Sequence, residues 1–114
     1  MVRRLLLAIL LLLPLNAWGA DADLYHDVRI AVFAKTAYTH ICTSGTVAYV
    51  RKQTDGDLHF KITDGPVFII AEEQPDLKAK GTRPKKGQKI TVCGVQRYDR
   101  MHKWQELHPV REWR

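Results

Sequence analysis

Four side chains in the second half of this 114-residue chain are of the types that bind divalent metal ions or transfer protons. They are His59, His102, Glu106 and His108. Glu106 and His108 are two positions apart in a predicted strand, so their side chains share a face. Imidazole and carboxylate groups together can hold a divalent transition metal ion, or act as acid and base in metal-dependent hydrolysis. These four residues are the predicted metal ligands, provided that the fold brings them together.

Two predicted strands contain or adjoin three of these residues. Residues 89–98 are rich in Ile, Thr, Val and Tyr, and residues 103–110 alternate between a polar face and a second face. Gly94 supplies a position at which the first strand can bend or bulge. Pro109 suits the end or edge of the second strand, because it has no N–H to donate to a central ladder. Such a pair is typical of the closing strands of a small barrel.

Three earlier strands are predicted as well. Residues 45–52 are rich in β-forming side chains, residues 57–63 alternate between polar and apolar, and residues 66–71 are strongly apolar. The turns between them contain Asp55-Gly56 and Asp64-Gly65. Residues 72–86 are polar and predict a loop, whose basic run is expected to be solvated. The layout predicts an all-β, five-stranded OB-fold-like barrel over residues 42–114, since the one long connection follows the third strand.

Several of these segments resemble a group of small exported bacterial OB-fold proteins of unknown function. The resemblance covers residues 42–111 and is most specific in two motifs. These are Asp55-Gly56-Asp57 with His59, and His102, Trp104, Glu106, His108 and Pro109. The resemblance implies an OB fold and export, and it implies no particular activity.

The predicted barrel indicates a ligand surface, since OB barrels bind oligonucleotides or oligosaccharides across their second and third strands and adjacent loops. The residues expected to bind are Arg51, Lys52, His59, Lys61, Tyr98, Arg100, Lys103 and Trp104. Cations can contact phosphates, and aromatic rings can stack on bases. The sequence therefore favours a non-catalytic binding module for an anionic ligand, such as nucleic acid or oligosaccharide. Asp55 and Asp57 oppose this interpretation, because they would repel phosphate.

Two further interpretations are compatible with the sequence. The first is structural, with Trp104 covering one end of the barrel and His108 fixing the turn at Pro109. The second is an envelope or stress protein that binds another protein, because fold alone does not determine function. The sequence contains no Ser/His/Asp arrangement, phosphate loop or nucleotide fingerprint. We therefore expect no catalytic residues, and no cofactor unless the divalent metal of the alternative binds.

Residues 1–20 have the features of a secretory signal peptide. Arg3 and Arg4 precede an apolar run that ends in small residues near Gly19. The run is too short for a permanent anchor, so we expect a periplasmic or secreted protein without a stable membrane anchor. Loss of Arg3 and Arg4 reduces the 18 basic side chains to 16 against 12 acidic ones, which gives a mature net charge of +4. This charge is too small for a dedicated nucleic-acid binder.

Residues 21–41 form a separate amino-terminal segment in the sequence. We predict a helix packed against the barrel, because five apolar or aromatic residues fall on one helical face. These are Leu24, Val28, Ala31, Val32 and Tyr38. Val28, Ile30 and Val32 also alternate as a strand would, so a strand is the alternative.

Cys42 and Cys93 are the only cysteines of the chain. In an exported protein they are expected to form a disulfide, with two separate buried thiols as the alternative. No Cys/His spacing typical of a structural zinc site is present in the sequence.

Overall fold

The computed structural model describes residues 25–114. In chain order its elements are β1 (His26–Asp27), a 3-10 helix (Ile30–Lys35), β2 (His40–Lys52), β3 (Leu58–Asp64), β4 (Val67–Glu73), β5 (Lys89–Asp99) and β6 (Trp104–Trp113). The predicted signal peptide, residues 1–20, lies outside the described residues. Between residues 25 and 114, no helix has the length and apolar character that crossing a membrane requires.

Strands β2 to β6 form a closed five-stranded barrel. Their order is β2-β3-β4-β6-β5, and β2 pairs again with β5 to close the sheet. β4 and β6 are parallel, whereas the other neighbouring barrel strands are antiparallel. The two residues of β1 extend the sheet beside β2. The prediction of an all-β, OB-fold-like barrel is confirmed.

In β3 and β4 the barrel interior is filled by every second residue, because successive side chains in a strand point to opposite sides. In β6 the buried core residues are three apart, since the pairing with β5 shifts register on either side of Gly94. Among the fully or almost fully buried core residues are Phe60 and Ile62 of β3, Ile69 and Ala71 of β4, and Leu107, Val110 and Trp113 of β6. The residues between the core positions of β3 and β4, and Glu106 and His108 on either side of Leu107, therefore face the outer wall of the barrel. Because β3, β4 and β6 are neighbouring strands, their outward-facing polar side chains lie on one continuous surface.

The predicted turn at Asp55-Gly56 joins β2 to β3. Gly56 has a φ of +93°, which glycine adopts without steric cost. The Asp55 side chain accepts a hydrogen bond at 3.0 Å from the backbone N–H of Asp57, as is typical of turns that begin with aspartate. The turn thereby positions the Asp57 carboxylate beside the start of β3.

β4 extends further than the sequence predicts. Glu72 and Glu73, predicted as the first residues of a polar loop, are buried strand residues. Glu73 accepts a hydrogen bond from the backbone N–H of Ala79 at 3.2 Å and forms a salt bridge with Arg83. Because these groups belong to the following loop, the Glu73 carboxylate fixes that loop on the barrel.

The predicted amino-terminal helix is, within the described residues, a six-residue 3-10 helix preceded by β1. Its buried residues are Ile30 and Phe33, whereas Ala31 and Val32 of the predicted apolar face are exposed. Residues three apart share a face in a 3-10 helix, and this spacing selects Ile30 and Phe33. The predicted α-helical face was therefore wrong.

Cys42 and Cys93 form a disulfide, which confirms the prediction. They are register partners on β2 and β5, the pair of strands that closes the barrel. The bond links residues 51 positions apart in the sequence.

Candidate metal centre

Four polar side chains form a row across the outer wall of the barrel. Arg51 on β2 is the register partner of His59 on β3, which is in turn the partner of Glu72 on β4. β6 runs parallel to β4, and its His108 contacts Glu72. Four different strands thus contribute one residue each to the row.

These side chains point outward because their sequence neighbours fill the core. Phe60, Ala71 and Leu107 are fully buried in the barrel interior, and adjacent strand residues point to opposite sides. Glu106 and His108 flank Leu107, so both lie on the outer side. The spacing of two residues between them predicts this shared face from the sequence.

Glu72, Glu106 and His108 converge on one point and are called the ligand triad below. One ligand atom from each lies within 4.8 Å of the other two. His108 Nδ1 is 2.6 Å from Glu72 Oε2 and 3.7 Å from Glu106 Oε1. Only 6% of Glu72 and 2% of Glu106 are exposed. Of the four predicted ligands, the structure brings Glu106 and His108 into this group, and Glu72 is the member that sequence reasoning missed.

Both carboxylates of the ligand triad are held by a second side chain. His59 Nε2 contacts Glu72 Oε1, and the indole N–H of Trp104 donates to Glu106 Oε2 at 2.8 Å. In each case one carboxylate oxygen is engaged and the other faces the centre of the triad. His59, one of the predicted ligands, therefore contacts the triad through the Glu72 carboxylate.

His108 is held in the same way through its second ring nitrogen. Its Nε2 lies 3.1 Å from the side-chain amide of Gln74 and 4.0 Å from the Asp57 carboxylate. In the contact with Gln74 the amide N–H donates to Nε2, so Nδ1 carries the ring proton and donates it to Glu72 Oε2 at 2.6 Å. A metal ion at the triad would replace this proton, because a ligating nitrogen must be deprotonated. Metal-binding histidines commonly donate their other ring N–H to a carboxylate or carbonyl oxygen, and the Asp57 carboxylate lies on that side of the His108 ring.

The electrostatics of the ligand triad favour a cation. Burial raises the pKa of both Glu72 and Glu106, since the ionised carboxylates lose contact with water. Among residues 25–114, the arginine salt bridges are made to Glu73 and Glu112, and no lysine or arginine lies within 4.0 Å of either triad carboxylate. Burial also lowers the pKa of His59, so this ring favours its neutral form beside Glu72. Two buried acids thus face each other without a permanent positive charge between them.

His102, the remaining predicted ligand, lies outside the ligand triad. Its Nδ1 is 2.7 Å from Asp99 Oδ2, and its ring stacks on Trp104 with centroids 4.5 Å apart. Asp99 also accepts the backbone N–H groups of Met101 and His102. His102 therefore belongs to the turn between β5 and β6.

The Asp99–His102 pair should be visible in a histidine titration. The hydrogen bond to Asp99 raises the pKa of His102 above 6.5, and the bond from His102 lowers the pKa of Asp99 to about 2. The pair's contribution to stability is lost as the pH falls through about 2, or rises through the raised His102 pKa. Asp99→Asn should return the His102 midpoint in an NMR titration towards 6.5 while His59 keeps its own. An unchanged His102 midpoint would contradict this account.

The residues predicted to bind an anionic ligand fall in two places. Arg51, His59, Lys61 and Trp104 share the outer wall with the ligand triad, whereas Lys52, Tyr98, Arg100 and Lys103 are exposed at the ends of β2 and β5 and in the turn after β5. On the wall, the Arg51 guanidinium lies 4.1 Å from the centre of the Tyr49 ring. Lys61 Nζ lies 4.4 Å from the centre of the Phe68 ring.

Of the residues at this centre that the sequence analysis missed, only Glu72 has a recognisable signal in the sequence. Glu72 follows Phe68 and Ile70 at the two-residue spacing of a strand face, so extending the third strand by one residue would have placed it on the outer wall. The side chains of Gln74 and Arg97 carry no comparable pattern. The sequence matches no protein-family model and no curated protein.

Proposed function

We propose that the protein binds a divalent transition metal ion through Glu72, Glu106 and His108. The observation that carries this proposal is the convergence of three ligand atoms within 4.8 Å of one another on a largely buried part of the barrel wall. Two carboxylate oxygens and one imidazole nitrogen suit ions such as Mn²⁺, Co²⁺ or Zn²⁺. A divalent ion would neutralise the two buried carboxylates, which otherwise carry the cost of desolvation.

The contacts around the triad support a site that is organised before an ion binds. His59 holds Glu72, Trp104 holds Glu106, and Gln74 with Asp57 holds His108. Such outer contacts fix the direction of a ligand's lone pair, and their loss typically reduces metal affinity by about 10- to 100-fold. Three protein ligands also leave coordination positions free for water or a second ligand, as in catalytic metal sites.

A metal titration of the purified protein tests the proposal. After treatment with a chelator, the protein should bind Mn²⁺, Co²⁺ or Zn²⁺ with a stoichiometry near one in isothermal calorimetry. His108→Ala and Glu106→Gln each remove a ligand and should weaken binding by at least about 100-fold, more than the loss of an outer contact would. Trp104→Phe removes only the hydrogen bond to Glu106, so a loss of about 10-fold is expected.

Two matched variants serve as controls for this titration. Glu112→Gln changes a carboxylate on the same strand, β6, whose partner is Arg114. His40→Ala removes an exposed histidine at the start of β2, outside the ligand triad and its outer contacts. Both should retain wild-type affinity. Equal losses in Glu112→Gln and Glu106→Gln, or absence of binding by the wild-type protein, would contradict the site.

Binding to an anionic polymer is less well supported by the same surface. The cations Arg51 and Lys61 lie over aromatic rings of the outer wall, which favours stacking chemistry. However, the neighbouring carboxylates of Asp57, Glu72 and Glu106 would repel a phosphate backbone. Nucleic-acid, oligosaccharide and protein partners therefore stay predictions. If single-stranded DNA and RNA do not bind at low salt, nucleic acid is excluded.

We also propose that the protein acts in the periplasm or outside the cell. The Cys42–Cys93 disulfide supports this, because such bonds persist in oxidising compartments and are rare in the cytosol. Cell fractionation followed by thiol alkylation should recover the protein in the periplasmic or secreted fraction with both cysteines protected. Recovery in the cytosolic fraction with two reactive thiols would contradict it.

A further inference from the structure

Arg97 stands at the edge of the ligand triad without a carboxylate partner. It lies on β5 as the register partner of Glu106 on β6, so its side chain shares the outer wall. Its Nη1 atom is 3.3 Å from His108 Nδ1. Within residues 25–114, no carboxylate lies within 4.0 Å of its guanidinium, since the arginine salt bridges found there belong to Arg83 and Arg114. Arg97 is also exposed, so its remaining N–H donors face solvent.

The Arg97 guanidinium lies beside His108 Nδ1, the nitrogen atom proposed to bind the metal ion. A metal ion lies about 2 Å from a ligating imidazole nitrogen, which limits the distance from Arg97 Nη1 to the ion to about 5.5 Å. A guanidinium remains charged and cannot act as a ligand. Two cations this close repel each other unless an anion lies between them.

The charges of the site favour such an anion. A divalent ion and the carboxylates of Glu72 and Glu106 cancel, which leaves the charge of Arg97 unbalanced on this side. Of the other carboxylates whose charges act on Glu72, Asp57 faces the opposite ring nitrogen of His108 at 4.0 Å and Asp99 is paired with His102. The free coordination positions and the guanidinium therefore present positive charge to the same space.

We propose that the metal ion and Arg97 together bind an oxyanion, with one oxygen on the metal and others accepting N–H groups of the guanidinium. This inference rests on the proposed metal site. The planar fork of arginine matches the oxygens of both phosphate and carboxylate groups. A phosphoryl or carboxylate group of a larger molecule is the class of ligand that the site takes.

Cobalt(II) provides a direct readout, because its visible absorption changes when an anion enters its coordination sphere. Addition of inorganic phosphate or of acetate to the cobalt-loaded protein should change the spectrum and saturate. Arg97→Gln should weaken the preferred anion by about 10- to 100-fold, as expected for the loss of a charge-assisted hydrogen bond. The anion affinity of Arg97→Lys should lie between those of the wild-type protein and Arg97→Gln, since lysine keeps the positive charge but lacks the planar fork of N–H donors. Comparison of the two titrations shows whether phosphate or carboxylate is preferred.

Arg111→Gln is the matched control, because Arg111 is an exposed arginine on β6 beyond the site. It should leave both anion affinity and cobalt affinity unchanged. Normal cobalt bands that do not respond to either anion, or equal anion affinity in Arg97→Gln and Arg111→Gln, would overturn the anion site and leave the metal site intact. A wild-type protein without cobalt bands would overturn both.

Discussion

Reduction of the Cys42–Cys93 disulfide is expected to lower the free energy of unfolding by about 4 kcal/mol. The bond closes a loop with a sequence separation of 51, and the chain-entropy estimate for such a loop is about 4 kcal/mol. For a domain of this size, that loss corresponds to a decrease in melting temperature of about 15–30 °C. Thermal unfolding followed by circular dichroism, with and without reductant, measures the effect.

The double variant Cys42→Ala/Cys93→Ala is the control for side effects of the reductant. It should melt close to the reduced wild-type protein and should not respond to reductant. Both cysteines are buried on the strands that close the barrel, so the reduced protein is also expected to open first between β2 and β5. Equal melting temperatures of oxidised and reduced wild type would contradict a stabilising role.

Metal binding is expected to produce the second large change in stability. At a free ion concentration 100 times the dissociation constant, binding to the folded state alone adds about 2.7 kcal/mol to the free energy of unfolding. The melting temperature should then rise by about 10–20 °C. Ligand-triad variants such as His108→Ala should lose this shift, whereas Glu112→Gln should keep it.

Without metal, Glu106→Gln should make the protein more stable at neutral pH. The folded-state pKa of Glu106 is raised by burial, so its stabilising contribution is present below the ordinary value of 4.5 and is lost as the pH rises through the folded-state pKa. Glutamine removes the buried charge and can still accept the Trp104 N–H. We expect a higher melting temperature for the metal-free variant at pH 7, and a smaller difference at pH 4.

The same variant should have the opposite effect once metal is present. Wild-type protein gains stability from the ion and Glu106→Gln does not, so the order of their melting temperatures should reverse. A metal-free Glu106→Gln protein that melts below wild type at pH 7 would show that the carboxylate stabilises the fold. In that case the Glu106 carboxylate would contribute to folding stability, and the expectation that its burial destabilises the metal-free protein would be wrong.

Local sequence patterns were sufficient to predict most of the fold. Leu58, Phe60 and Ile62 alternate at the spacing of a strand, and the glycines at positions 56 and 65 mark the turns on either side. These signals are short-range, because strand periodicity and turn geometry depend on adjacent residues. The amino-terminal segment is ambiguous in the sequence, since its apolar residues fit both a helix and a strand, whereas the buried pair Ile30 and Phe33 has the three-residue spacing of a 3-10 helix.

The candidate site was only half determined by such patterns. The sequence itself determined that Glu106 and His108 share a face, that His59 points away from the core, and that two cysteines have only each other as partners. Only the tertiary structure decided that Glu72 completes the ligand triad, that His102 pairs with Asp99, and that Arg97 stands beside His108. The physical reason is that Glu72 meets His108 through the parallel pairing of β4 with β6, and pairing between strands distant in sequence depends on how the whole barrel closes.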